Sequence, residues 1–172
     1  MSIHITRHKE APDREEFTPM LEEFYAQIIA RLQKIGGPEA KTEGLVVEFW
    51  ETIDQYLPPK GCLLSARNAA GALVGMGGLR PLGDGKGEMK RVFVRPAGRG
   101  TGLGRTLIEK RIEAARDLGM NSLFADTFKF SVEMISLYEQ MGFKQIDIYP
   151  QSASYNSHPE LAKYMIFLKK DL

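Results

Sequence analysis

The segment from residue 99 to residue 104 carries the clearest chemical signal in the sequence. It reads Arg-Gly-Thr-Gly-Leu-Gly and joins an apolar run that ends at Val94 to an amphipathic stretch that starts at Leu103. Glycines let backbone N–H groups approach an anion closely, and the start of a helix adds partial positive charge. The segment is therefore predicted to bind a phosphate group of a ligand.

The glycine spacing excludes two common phosphate-binding patterns. The dinucleotide pattern G-x-G-x-x-G fails, because its last glycine would fall on Leu103 or on Arg105. The nucleotide pattern G-x-x-x-x-G-K-[ST] fails as well, since no glycine of this region is followed by Lys and then by Ser or Thr. The pattern that remains is R-x-x-G-x-G.

The surroundings of this loop are strongly basic. Residues 86–111 contain eight Lys or Arg against only Glu88 and Glu109, in a chain whose formal net charge is +1. Such a local excess suits a ligand with several phosphates, although a solvated cationic face is the alternative. The small overall charge disfavours a general nucleic-acid or membrane-surface binder.

Length and composition predict one globular domain, residues 1–172, with an ordinary apolar content of 43%. The single cysteine, Cys62, excludes an internal disulfide and favours a reducing compartment, so a cytoplasmic location is expected. The polar first ten residues do not resemble a signal peptide, and no apolar run is long enough for a membrane span.

Apolar periodicity predicts the elements that position the loop. Strands are expected at 2–8, 62–67, 73–79, 88–94, 122–126, 143–149 and 162–169, with a glycine-rich turn at 82–87. Helices are expected at 17–36, 44–57, 103–118 and 131–141, the first with Asp13 as N-cap and Glu16 as its capping-box partner. This order predicts a mixed α/β fold around one sheet.

Two motifs within this order resemble the GNAT superfamily of acyl-CoA-dependent N-acetyltransferases. Met-Lys-Arg-Val-Phe-Val-Arg-Pro at 89–96, followed by R-x-x-G-x-G at 99–104, is similar to the family's pyrophosphate motif and the strand before it. Leu-Tyr-Glu-Gln-Met-Gly-Phe at 137–143 resembles the second signature, L-Y-x-x-x-G-F. The resemblance implies a twisted, mostly antiparallel sheet of about seven strands flanked by about four helices, with strands 88–94 and 122–126 splayed to hold CoA.

The resemblance also implies how acetyl-CoA would bind. Backbone amides of the loop would hold the pyrophosphate, and amides of the preceding strand would bind the pantetheine arm and the acetyl carbonyl. Loss of one such donor to the carbonyl typically raises a reaction barrier by about 3–4 kcal/mol. Ser131 and Met134 depart from the Asn and the small residue that are common in the family. The implied CoA contacts are Val92, Phe93, Val94, Arg99, Gly100, Thr101, Gly102, Leu103, Gly104, Arg105 and Ser131.

Acetyl transfer to an amine requires a base and an acid. An alkylammonium has a pKa of about 10, so a base must remove a proton at neutral pH. By resemblance Glu88 is the candidate base, with a solvated carboxylate at a strand end as the alternative. Tyr138 is the candidate acid for the departing thiolate, with a tyrosine that merely packs the helix as the alternative. Cys62 is expected to be an inert core thiol, which favours direct transfer in a ternary complex.

In the family, the loop between the last two strands helps to line the acceptor pocket. Tyr155, Asn156 and His158 lie in this loop and are candidate substrate contacts, although a plain polar loop is the alternative. No pair of His, Asp or Glu has the spacing of metal ligands, so no metal is predicted.

The expected function is acetyl transfer from acetyl-CoA to a primary amine of a small molecule, or of a peptide or protein. The alternative is a CoA-binding regulatory module without catalytic activity. Family habit suggests a homodimer. The sequence leaves the acceptor open, since this scaffold serves many amines.

Overall fold

The computed structural model describes residues 2–172, which contain one open sheet of seven strands. The strands are β1 (Ile3–Arg7), β2 (Cys62–Asn68), β3 (Leu73–Gly83), β4 (Lys86–Val94), β5 (Ser122–Phe128), β6 (Lys144–Ile146) and β7 (Met165–Asp171). Their order across the sheet is β1-β2-β3-β4-β5-β7-β6. Only the β4–β5 pair is parallel within the described residues, which confirms the predicted, mostly antiparallel sheet.

Helices cover both faces of this sheet. They are α1 (Arg14–Lys34), α2 (Thr42–Glu51), α3 (Leu103–Asp117), α4 (Val132–Gln140) and the short α5 (Ala153–Ser157). Three 3-10 turns span Ile53–Tyr56, Pro96–Gly98 and Pro159–Tyr164. Sequence analysis predicted the first four helices, whereas α5 lies in a segment that was predicted as a loop.

The alternation of side chains along the strands divides the core into two layers. Leu64 belongs to the cluster under α3 and α4, together with Leu107 and Ile108 of α3. The preceding residue, Leu63, belongs to the cluster under α1 and α2, together with Phe49. The sheet is therefore packed on both faces, and α1 and α2 lie on the opposite face from α3.

The start of α1 follows the predicted cap in part. The Asp13 carboxylate accepts a hydrogen bond from the Glu16 amide at 2.8 Å, as expected for an N-cap. The reciprocal bond of a capping box is missing among residues 2–172, because the Glu16 carboxylate forms an ion pair with Arg67 at 2.5 Å. The predicted capping box is therefore wrong in its second half.

The glycine-rich turn between β3 and β4 is a tight hairpin. Gly83 pairs with Lys86, so the loop consists of Asp84 and Gly85, whose φ angles are 50° and 70°. Positive φ at both loop residues is typical of the two-residue turn that matches the twist of a hairpin. The turn lets β3 and β4 run longer than predicted and aligns the strand that precedes the phosphate-binding loop.

The C-terminal elements are shorter than the sequence indicated. Strand β6 has three residues instead of the predicted 143–149, because Tyr149 leaves the sheet and packs in a buried cluster with Phe124 and Phe167. The strand predicted at 162–169 begins at Met165, since a 3-10 turn precedes it.

The second helix is also shorter than predicted. The helix predicted at 44–57 ends at Glu51 and is followed by a 3-10 turn.

None of the helices within residues 2–172 is long and apolar enough to span a lipid bilayer.

Truncation of Leu107 to alanine tests whether α3 is held to the sheet by its apolar side. Leu107 is 0% exposed, and we expect the free energy of unfolding in urea to fall by about 2–5 kcal/mol through lost burial and cavity formation. Val47→Ala, at a position that is 48% exposed, is the control and should change stability little. Equal losses in the two variants would contradict this packing.

Candidate active site

A β-bulge interrupts the middle of β4. Met76 pairs with Phe93 and Gly78 pairs with Lys90, so β4 contains one more residue than β3 over this stretch. Arg91, in the bulge, has a φ of 54°, which is uncommon for a residue other than glycine. Because of the extra residue, the consecutive side chains of Lys90 and Arg91 both lie on the α1–α2 side of the sheet, near Tyr56.

Arg111 of α3 fills the gap that the bulge leaves on the other face. Its side chain is 0% exposed, and its Nη1 donates to the carbonyl oxygens of Gly78 at 3.0 Å and Lys90 at 3.3 Å. A Cβ atom at Gly77 would lie 3.0 Å from Arg111 Nε, so a side chain there would crowd the guanidinium. Arg111 therefore belongs to the core, although it counted toward the basic region of the sequence.

The predicted splay between β4 and β5 starts just before the bulge. Parallel pairing between the two strands ends at Met89 and Ala125, although the strands continue to Val94 and Phe128. The edge of β4 beyond Lys90 consequently has no strand partner on the side of β5. We call this unpaired edge, which runs from the bulge toward the glycine-rich loop, the slot.

The glycine-rich loop presents unpaired amides. Gly100 and Gly102 have φ angles of 73° and 78°, and no heavy atom lies within 4 Å of the position that a Cβ would take at either residue. Gly102 is the N-cap of α3, and the first backbone bond of the helix runs from the Thr106 amide to the Gly102 oxygen at 3.1 Å. Within residues 2–172, none of the amides from Gly100 to Arg105 donates to a protein acceptor.

Side chains of the loop hold its shape. Arg99 Nε donates to the Val94 carbonyl at 3.1 Å, and the Thr101 hydroxyl donates to the Gly98 carbonyl at 2.7 Å. Arg105 reaches Gln140 at 2.8 Å and so links α3 to α4. Ser131 is the N-cap of α4, and its hydroxyl forms no cap bond. The loop therefore presents unpaired N–H groups flanked by guanidinium groups, which suits a phosphate.

Tyr138 lies on the buried side of α4. It is 3% exposed, and its ring packs edge-on against Phe143 with the centroids 4.9 Å apart. No residue in the range 2–172 forms a hydrogen bond with its hydroxyl, which is not sealed from solvent. The tyrosine thus packs the helix and also keeps a hydroxyl that can donate to a ligand.

Glu88 is the centre of a buried polar network. It is 0% exposed, so the alternative of a solvated carboxylate is wrong. One carboxylate oxygen accepts from Arg80 Nε at 2.5 Å, and the other accepts from the Tyr149 hydroxyl at 2.7 Å and the Ala153 amide at 3.3 Å. Because the side chain is fully buried among these donors, Glu88 has no exposed surface for direct contact with a substrate.

Asp126 of β5 forms the second half of this network. Its carboxylate accepts from Lys90 Nζ at 3.1 Å, from the Ser152 hydroxyl at 2.9 Å and from the Ser154 hydroxyl at 3.1 Å. Burial opposes the charge of Lys90, but the carboxylates of Asp126 and Glu88 outweigh burial and raise the pKa of Lys90. Lys90 therefore remains an ammonium group.

Tyr149 joins the two halves of the network. Its hydroxyl lies 2.7 Å from Glu88 Oε1 and 3.4 Å from Asp126 Oδ2. Burial, reinforced by the charges of Asp126 and Glu88, raises the pKa of Tyr149, so its hydroxyl stays protonated and acts as a donor. The network ties the C-terminal loop to β4 and β5 at the point where these strands separate.

Sequence reasoning missed Arg80, Asp126, Tyr149, Ser152 and Ser154. A usable signal was available for two of them. Arg80 and Asp126 each follow a buried run of their strand, where a charged side chain needs a partner.

The predicted acceptor residues are placed differently. Tyr155 is partly buried against the cluster that contains Tyr149, and its amide donates to Ser152. Asn156 is exposed and bonds to Pro150 of its own loop at 2.9 Å, and exposed His158 faces Glu160 at 3.3 Å. The structure therefore brings Tyr155 near the network but not Asn156 or His158.

Cys62 lies on β2 with 0% exposure, and burial raises the pKa of its thiol. It is a core residue, in agreement with the expected inert thiol.

The fold agrees with comparisons to known proteins. The model of the acetyltransferase (GNAT) family matches residues 22–143. An uncharacterised N-acetyltransferase of Schizosaccharomyces pombe is 30% identical over 149 residues, which cover 86% of each chain. An IAA acetyltransferase of Azospirillum brasilense is 32% identical over 124 residues, which cover 61% of this chain and 80% of the relative.

A solved structure shows the same fold at low sequence identity. PaiA N-acetyltransferase from Thermoplasma acidophilum, in complex with coenzyme A, aligns over 100% of both chains with a TM-score of 0.72 and 19% identity. Together with the family match over most of the chain, this similarity defines the class of the protein as an acyltransferase of GNAT fold. The chain belongs to the GNAT acetyltransferase family and is an N-acetyltransferase.

Substitution of Glu88 by glutamine tests the buried network. Removal of one charge leaves Arg80 without its ionic partner, and we expect the free energy of unfolding to fall by about 3–5 kcal/mol. Glu16→Gln breaks the exposed pair with Arg67 and should change it by less than about 1 kcal/mol. Equal effects of the two variants, measured by urea unfolding, would show that Glu88 does not anchor the network.

Proposed function

We propose that the chain transfers an acetyl group from acetyl-CoA directly to a primary amine of a small molecule. The observation that supports this function most strongly is the run of unpaired amides from Gly100 to Arg105 beside the splayed edge of β4. The name of the Azospirillum relative, an IAA acetyltransferase, agrees with a small-molecule acceptor. Acetyl-CoA supplies an acetyl group that is activated as a thioester.

The loop and the slot fit the two ends of this cosubstrate. The amides from Gly100 to Arg105 would bind the pyrophosphate, with the guanidinium groups of Arg99 and Arg105 at its edge. The slot along β4 would take the pantetheine arm through backbone groups of residues 92–94. The ring of Phe93 packs against Phe24 with the centroids 5.8 Å apart, so this residue would contribute only its backbone.

Tyr138 is the proposed general acid. Its hydroxyl has no partner within residues 2–172 and can donate a proton to the sulfur as the bond between carbon and sulfur breaks. The amine nitrogen forms the new bond to the acetyl carbon and loses one proton. Ser131, whose hydroxyl forms no cap bond, leaves the N-terminal end of α4 open for contacts with the pantetheine arm.

A base role for Glu88 requires a relay. Because Glu88 has no exposed surface, a proton from the acceptor would reach it only through the Tyr149 hydroxyl, which donates to it at 2.7 Å. The Tyr149 hydroxyl would pass its own proton to Glu88 and would take up the proton of the acceptor amine on its side that faces Asp126. Direct contact between Glu88 and the amine is therefore not part of the proposal.

The loop is tested by substitution of Gly102 by valine. The left-handed conformation costs a branched residue about 1–2 kcal/mol, and the new methyl groups would occupy the anion site. We expect the Kd for acetyl-CoA in calorimetry to rise at least about tenfold. Gly71→Val is a matched control, since Gly71 has a φ of 81° and open space but lies in the β2–β3 turn. Equal acetyl-CoA affinities in the two variants would place the cosubstrate elsewhere.

The acid is tested by Tyr138→Phe, which removes only the hydroxyl. We expect kcat, measured by thiol release with a panel of amines, to fall about 100-fold, because the thiolate loses its proton donor. The Kd for acetyl-CoA should stay close to that of the parent protein. An unchanged kcat would remove Tyr138 from the catalytic groups.

A further inference from the structure

The charges at the bulge do not balance. Arg80 pairs with Glu88 and Lys90 pairs with Asp126, so two cations are matched by two carboxylates. Arg91 lies next to Lys90 on the same face of the sheet. It takes part in none of the ion pairs formed among residues 2–172.

The guanidinium of Arg91 is held in place without being neutralised. Its Nε donates to the Tyr25 hydroxyl at 2.7 Å, and its Nη1 donates to the Tyr56 hydroxyl. Its central carbon lies 5.3 Å from the ring centroid of Phe49 and 5.1 Å from that of Tyr56. These contacts fix the orientation of the group and remove water from it, but they leave its full charge in place.

One end of this guanidinium remains available. The hydrogen bonds of Arg91 within the described chain are made by Nε and Nη1 and leave Nη2 without a partner, and the residue keeps some exposed surface. A carboxylate binds to such an end through two parallel N–H groups, which is the geometry that Arg offers and Lys does not. The Glu48 carboxylate of α2 acts on Arg91 only from beyond ion-pair distance, so the guanidinium lacks a directly bound counter-ion. A largely enclosed cation in this state is unfavourable, and binding an anion relieves it.

The position of Arg91 connects it to the reaction. It directly precedes Val92, the first of the strand residues whose backbone groups are proposed to bind acetyl-CoA, and its side chain extends to the opposite face from α3. An acceptor that reaches the thioester from the α1–α2 side would pass this guanidinium. The same bulge that opens the slot therefore places a fixed positive charge beside the entering amine.

We infer that the acceptor carries a carboxylate as well as an amine, so that it is an amino acid or a related amino-carboxylic acid, and that Arg91 binds this carboxylate. This inference rests on the proposed function and specifies its substrate class. Arg91 acts as a specificity residue, whereas Lys90 belongs to the buried network through Asp126.

The test compares acceptors that differ only in the carboxylate. Free amino acids are each paired with their own carboxamide, and thiol release from acetyl-CoA gives kcat/KM for every member of the pair. We expect the free acids to be preferred about 10- to 100-fold, as for a charged hydrogen-bonded pair. Arg91→Gln should lower kcat/KM for the acids by a similar factor, mainly through KM, and change the carboxamides only a few fold.

Two further variants keep the result interpretable. Arg67→Gln alters an exposed arginine on β2 and should keep the preference for acids. Arg91→Lys keeps the charge but loses the paired N–H groups, so it should retain part of the preference. The Kd for acetyl-CoA, which should be unchanged in both Arg91 variants, reports whether they are folded; if Arg91→Gln is not, Arg91→Lys and the parent protein decide the outcome.

The outcomes separate this inference from the proposed function. Equal acetylation of acids and carboxamides by the parent protein, or an unchanged preference in Arg91→Gln, would overturn the role of Arg91 and leave the acetyltransferase activity standing. If neither the free acids nor the carboxamides caused thiol release, both proposals would be wrong.

Discussion

The extra residue in β4 is the constraint on which the rest of the site depends. A regular ladder would place Lys90 and Arg91 on opposite faces of the sheet and would favour continued pairing with β5. The bulge instead puts both side chains on one face, and pairing with β5 ends at Met89 and Ala125. Arg111 compensates from the other face by donating to carbonyls of β3 and β4. Slot, charged cluster and buried arginine are thus three consequences of one irregularity.

The buried network keeps the two splayed strands at a fixed separation. Strands that part cannot stabilise each other through backbone bonds, so side chains must connect them. Glu88 and Lys90 on β4 are connected to Asp126 on β5 through direct bonds and through Tyr149. Because these groups are desolvated, their hydrogen bonds are mutually dependent, and a half-satisfied network would be worse than an apolar one. This requirement explains why the C-terminal loop folds back onto the sheet.

Much of the fold and the phosphate-binding loop could be predicted, because their signals are local. The glycines and the helix start that form the phosphate-binding loop lie within six consecutive residues, so the roles of Gly100 and Gly102 could be predicted from sequence alone. The network could not, since Arg80, Asp126 and Tyr149 come from three separate elements and meet only in the folded chain. The burial of Glu88 follows from those partners, not from its own strand. Asn156 has the chemistry of a substrate contact, but its side-chain amide donates to the Pro150 carbonyl of its own loop.

The neighbours Lys90 and Arg91 show how one backbone irregularity can separate structural from functional charge. Both are cations in the same low-dielectric region, where an unmatched charge is unfavourable. Lys90 forms an ion pair with Asp126 within the chain, so its ammonium group has a structural role. Arg91 contacts tyrosine hydroxyls and aromatic rings, which orient a guanidinium but cannot neutralise it, and the Glu48 carboxylate lies beyond ion-pair distance. The fold gives Arg91 rigid support without an ion-pair partner, and the carboxylate of the proposed acceptor is the anion that would complete this arrangement.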